Sequence, residues 1–199
     1  MRKELLHYNI GSSYGGNQEW FTSFMMRLGG CAAETACECC IYLDKYKGTN
    51  LCPFDINNIT KAQYARFGDL MKPYLRPRMS GIDRLSIYID GFGRYLKDRG
   101  SDITLTGVEG SSEDVRTAKR IITEQIDRGL PVPFLCLNHS NPRFKEYEWH
   151  WFLINGYESF EDTLMVKAVT YSEWEWLDFD ELWHTGRARK GGFIIIRMD

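Results

Sequence analysis

The sequence has no long apolar run. Its opening segment, MRKELLHYNI, sets only Leu5 beside Leu6 before polar residues return, too short for a signal-peptide core or a membrane span. No membrane partner is therefore expected, and the expected location is cytoplasmic. There is no excess of charge of either sign: 25 Lys and Arg stand against 27 Asp and Glu, a formal net charge of −2. A polyanion thus meets no global basic field, and nucleic acid is not an expected partner, although Arg76 with Arg78, and Arg187 with Arg189 and Lys190, form local basic groups. Internal repeats, low-complexity tracts and Pro/Gly/Ser linkers are missing too, which predicts a single domain over residues 1–199.

The six cysteines do not make a disulfide framework. Cys37, Cys39 and Cys40 crowd one segment and point in different directions from a helix, so reduced thiols are expected. The same C-x-C-C run lacks the paired C-x-x-C and histidine spacing of zinc sites. No metal or cofactor is expected.

What is present is ordinary globular material, 43% apolar and 14% aromatic. The period is helical first. The doublet Gly29-Gly30 runs into CAAETACECCIYLDKYK, where Ala33, Ala36, Cys37, Cys40, Ile41 and Leu43 fit one face of an amphipathic helix that begins at Cys31. A second helix is predicted from Asn57 to Tyr74, capped by Thr60, with Tyr64, Phe67, Leu70 and Met71 on a face, and a third from Ile82 to Asp98. SSEDVRTAKRIITEQIDRGL predicts a fourth, with Ser112 as cap, Asp114 in the first turn and Gly129 as the stop. Residues 57–110 are read as a helical insert.

Past residue 130 the period becomes that of strands: PVPFLCLN, EWHWFLINGY, TLMVKAVTY, a short EWEWLDF, and GGFIIIRM. ESFED is the expected hairpin loop between the second and third, and Asp178 to His184 suits one or two helical turns. Helices followed by an antiparallel meander predict an α+β fold.

Two residues carry candidate chemistry. A thiolate attacks far better than a thiol, and the unpaired N–H groups at a helix N-terminus favour a negative sulfur. Cys31 is predicted in such a place, after two glycines that allow close backbone approach. Cys37, Cys40 and Cys136 read as core, Cys39 as pointing to the other helix face, and Cys52 as loop. His150 opens a strand, so its imidazole is expected at a sheet end, where it can serve a helix-terminal thiol as base. His7, His139 and His184 read as structural. The alternating stretches Glu146-Tyr147-Glu148-Trp149 and Glu173-Trp174-Glu175-Trp176 read first as strand faces, with a tryptophan-walled cleft as the second reading.

Asn17-Gln18-Glu19-Trp20, then Gly29-Gly30-Cys31-Ala32-Ala33, then His150-Trp151 with Ile154-Asn155-Gly156-Tyr157 resembles the papain-like cysteine peptidases. The layout is closest to the compact bacterial branch that includes double-glycine leader peptidases, and the resemblance spans about residues 14 to 199. It implies a papain-like fold, with the nucleophile helix of an N-terminal helical part packed on a C-terminal antiparallel sheet. It also implies a cysteine-dependent hydrolase acting on a peptide or small amide substrate through an acyl-enzyme, with Cys31 as nucleophile, His150 as general base and Gln18 as oxyanion donor beside the Cys31 N–H. An acyltransferase on the same site, or a non-catalytic peptide-binding domain, are the alternatives. Gln18 precedes Cys31 by thirteen residues, a wider gap than the family's, which leaves TSFMMR as an extra loop. Where the family has an Asn or Asp to hold the imidazole, this sequence reads Val169-Thr170-Tyr171-Ser172. Thr170 is one candidate for that role, Asn155 is too near His150 in sequence, and Asp178 is the nearest later carboxylate.

Overall fold

The computed structural model describes residues 1–78 and 80–198. Nine strands and six α-helices are found among them, in an α+β arrangement. The strands are β1 (Arg2–Glu4), β2 (Asn9–Ile10), β3 (Ser13–Tyr14), β4 (Thr104–Glu109), β5 (Val132–Cys136), β6 (His150–Phe160), β7 (Thr163–Thr170), β8 (Glu173–Asp178) and β9 (Gly191–Arg197). The helices are α1 (Phe24–Gly29), α2 (Cys31–Lys47), α3 (Lys61–Met71), α4 (Leu85–Asp98), α5 (Val115–Asp127) and α6 (Phe179–Trp183).

One antiparallel sheet runs β4-β9-β5-β6-β7-β8, with β1 paired to the far half of β6. β5 and β1 share one edge of β6: β5 pairs with residues 150–154 and β1 with 156–158. β2 and β3 form a separate two-stranded ribbon. β5 is buried along its whole length, as its unbroken apolar run requires in the middle of a covered sheet.

α2 lies at the centre. From Cys31 to Asp44 every residue is buried, so the helix is covered all round and has no solvent face of the kind an amphipathic period predicts. Cys39 is consequently as buried as Cys37 and Cys40, and Cys52 is buried as well. The Asp44 carboxylate pays for its burial by accepting from the N–H groups of Leu51 (2.7 Å) and Cys52 (2.6 Å) and from the Thr49 hydroxyl (2.6 Å).

Several expectations are corrected. TSFMMR is not a loop, since α1 begins at Phe24. Asp114, not Ser112, caps α5, its carboxylate accepting from the N–H groups of Arg116 (2.9 Å) and Thr117 (3.1 Å). Leu70 on α3 is exposed, while Tyr64, Phe67 and Met71 face the core. The stretch 57–110 is not wholly helical, because Thr104–Glu109 near its end form β4, an edge strand on β9. Thr60 does cap α3, in a reciprocal box with Gln63.

Candidate functional site

Gln18 sits in a short 3-10 turn, Gln18–Trp20, that Asn17 caps. α1 and α2 then meet at Gly30 with almost no room between them: a Cβ on Gly30 would fall 2.2 Å from the Met26 carbonyl oxygen, and one on Gly29 would fall 2.9 Å from that of Arg78. The glycine doublet is thus demanded by the protein's own backbone, and it sets Cys31 at the first position of α2. From the other side β6 delivers His150 at its first residue, opposite Cys136 of β5.

Gln18, Cys31 and His150 line one cavity of about 450 Å³, together with Trp149, Tyr171 and Arg78. That volume is in the range of small-ligand sites. The Cys31 sulfur lies against the backbone N–H of Trp151, the residue after His150. The Gln18 side-chain amide donates to the Arg27 carbonyl (2.8 Å), which fixes it beneath α1.

His150 is 4% exposed and held on two sides. Its Nε2 is 2.6 Å from Thr170 Oγ1, and Tyr171 stacks on the ring at 4.8 Å with planes 5° apart. Tyr171 and the following Ser172 both take positive φ, 51° and 63°, so the β7–β8 turn has the left-handed central pair of a tight hairpin. That backbone is uncommon for non-glycine residues, and it is what folds the Tyr171 ring back onto the imidazole. Asp178 has no part here: its carboxylate caps α6 by accepting from the N–H groups of Asp180 (2.8 Å) and Glu181 (3.2 Å).

Electrostatically the site departs from the expected thiolate. Burial pushes the Cys31 thiol up to about 11, against the pull of the Trp151, Ala32 and Cys31 backbone N–H groups. Burial likewise pushes His150 down to about 4. Desolvation outweighs the helix terminus, and burial favours the uncharged form of each side chain.

Compared with models of known protein families and with curated proteins, the sequence matches none.

The other histidines stand apart from the cavity. His139 is fixed by the Glu181 carbonyl (3.0 Å), the Asn141 N–H (3.0 Å) and a stacked Phe144, and His184 Nδ1 meets the Asp180 carbonyl (2.9 Å). His7 is buried with Glu38 Oε2 3.3 Å from its Nε2, yet neither ring nitrogen has an aligned hydrogen bond. Of the tryptophans in the two acidic stretches, Trp149 borders the cavity, Trp174 is exposed beneath Lys167, and Trp176 carries Arg2 over its ring. Among the described residues no three His, Cys, Asp or Glu side chains converge as metal ligands would. No helix there is long and apolar enough to cross a membrane.

The sequence did not place Tyr171 or Arg78 at the cavity: Arg78 read only as part of a local basic group and Tyr171 only as a neighbour of Thr170, and the positive-φ turn is what reveals Tyr171.

Proposed function

We propose that the chain is a papain-like cysteine hydrolase acting on a peptide or amide bond, with Cys31 as nucleophile and His150 as general base. The observation that carries this reading is the placement of Gln18, Cys31 and His150 around one cavity, with the outer ring nitrogen of His150 tied to Thr170. With Nε2–H donated to Thr170, the Nδ1 lone pair is the base. The sulfur attacks the substrate carbonyl carbon as its proton passes to Nδ1, so that no charged resting pair is needed. The oxyanion takes the Cys31 N–H and the N–H of Gln18 not bonded to Arg27. The proton then goes to the leaving nitrogen, the C–N bond breaks, and a thioester remains. Water, its proton taken by His150, hydrolyses the thioester, releasing the acid and restoring the thiol.

The test is alkylation of the folded protein with iodoacetamide, followed by peptide mapping. Cys31 is expected to label before the other five thiols, and His150→Ala to slow that labelling by about a hundredfold, the usual scale of a lost general base. Labelling of Cys31 no faster than the rest, or a rate indifferent to His150→Ala, overturns the proposal in favour of a binding domain.

A further inference from the structure

The base has no carboxylate or carboxamide at its outer nitrogen, only a hydroxyl. A threonine hydroxyl that accepts from Nε2–H has a single proton of its own to give, and that proton needs an acceptor on the far side. Thr170 also borders a small cavity of about 10 Å³ whose wall includes Glu34 and Glu38, one turn apart on α2, with Gly16 and Trp151. Both glutamates are almost fully buried, 3% and 5% exposed, and the Oε2 atom of each is without a hydrogen-bond partner. The other Glu38 oxygen accepts from the Gly16 N–H and from the Tyr64 hydroxyl (3.3 Å).

A cavity of this size has room for a single water, and a buried water needs two to four polar partners. Thr170 Oγ1 and Glu34 Oε2 supply two, and Glu38, whose Oε2 lies 3.3 Å from His7 Nε2, completes the polar wall. We propose that the Glu34–Glu38 carboxylate pair is the acidic partner of His150, coupled to it in series through Thr170 Oγ1 and one water held in the cavity between them. The role is one of positioning, and it rests on the reading of Cys31 and His150 as a working pair.

The direction of the chain follows from proton counting. Nε2–H donates to Thr170, Thr170 donates to the water, and the water donates to a carboxylate, so Nδ1 is left as the lone pair facing the site. When Nδ1 takes the Cys31 proton, the positive ring is stabilised by negative charge on the pair, and no proton leaves the chain. Burial and then the neighbouring Glu38 push the Glu34 carboxyl well above the usual carboxylate range. The other titratable groups that face the pair are His7, Tyr8, Tyr64 and Tyr171, the thiols of Cys31, Cys37 and Cys39, and the more distant Glu19, with the Gln18 backbone N–H on Glu34.

The test follows the His150 titration by ¹⁵N NMR of the full chain, alongside the acid limb of Cys31 alkylation. The variants are Thr170→Val, Thr170→Ser, Glu34→Gln with Glu38→Gln, and the combination of Thr170→Val with both glutamate changes. In a series coupling, Thr170→Val and the glutamate pair each lower the His150 midpoint by about one unit, and the combination lowers it no further. Thr170→Ser keeps the parent midpoint. Additive shifts, or a midpoint unmoved by loss of both carboxylates, overturn the proposal. If the doubly substituted glutamate variant does not fold, the single variants decide: a lowered midpoint in either supports the coupling, and none in both overturns it. Because NMR reads the imidazole whether or not the thiol reacts, an inert Cys31 with an intact coupling would defeat only the hydrolase reading.

Discussion

Burial acts on Cys31 and His150 in opposite senses and disfavours the charged form of each. For His150 this has a consequence for stability that is separate from any activity. Its folded value, about 4, lies below the ordinary 6.5, so the unfolded chain binds the extra proton first as the pH falls. The folded state therefore loses stability from pH 6.5 downward, and the loss is complete once the pH passes 4. The full effect is about 3 kcal/mol. Urea unfolding at a series of pH values should show a steeper decline between pH 6.5 and 4 for the parent than for His150→Gln, which has no proton to bind. Parallel curves for the two would mean that the imidazole titrates as freely folded as unfolded. At this scale Gln18, Cys31 and His150 were legible because each sits in a recognisable local pattern: a turn, a glycine doublet, a strand start. Thr170 was visible only as one option, and Tyr171 was not visible as a neighbour of His150. What brings them to the ring is a turn built without glycine or asparagine.

The junction between α1 and α2 shows how much of the site depends on the packing of elements. Gly30 ends one helix and precedes the other, and a methyl group there would collide with the Met26 carbonyl oxygen, an atom fixed by the backbone. Gly30→Ala must move α1, and with it the Arg27 carbonyl that holds the Gln18 amide. The expected result is a loss of about 1–3 kcal/mol in thermal unfolding, together with slower Cys31 alkylation under conditions where the variant is still folded. A variant with parent stability would show that the helices separate without cost. The longer helices and β5 to β9 announce themselves through sustained period and clear stop signals. α1, β1 and β4 do not. α1 has six residues, two of them exposed apolar side chains, Phe24 and Leu28. β1 is Arg-Lys-Glu, held by pairing with β6 and by the Glu4 carboxylate on Lys167 Nζ (2.8 Å). β4 buries little beyond Val108. Such segments take their structure from the neighbour they pair with, which a local pattern does not contain.

The whole molecule is organised around α2, which separates the helical first half from the sheet and is covered by both. Tyr88 of α4 stacks on Trp151 of β6 at 4.2 Å, and the Trp151 indole N–H donates to the Ile82 carbonyl (2.7 Å), so the region 57–110 is tied directly to the histidine strand. Trp20, at the opposite end of the helical half, packs edge-on against Tyr64 of α3, and Trp183 of α6 packs against Phe134 and Phe193 of the sheet. Three indoles thus report on three parts of one continuous core. If that core is the unit of stability, the parts cannot melt apart, because unfolding the helical half would expose the whole buried circumference of α2 and the inner face of β6. With 5-fluorotryptophan incorporated, the ¹⁹F resonances of Trp20, Trp151 and Trp183 should lose their folded positions at the same urea concentration, coincident with the far-UV signal. An earlier midpoint for Trp20, with Trp183 still native, would make residues 57–110 a separately stable insert. It would also imply that the Cys31 helix can be uncovered without unfolding the strand that carries His150.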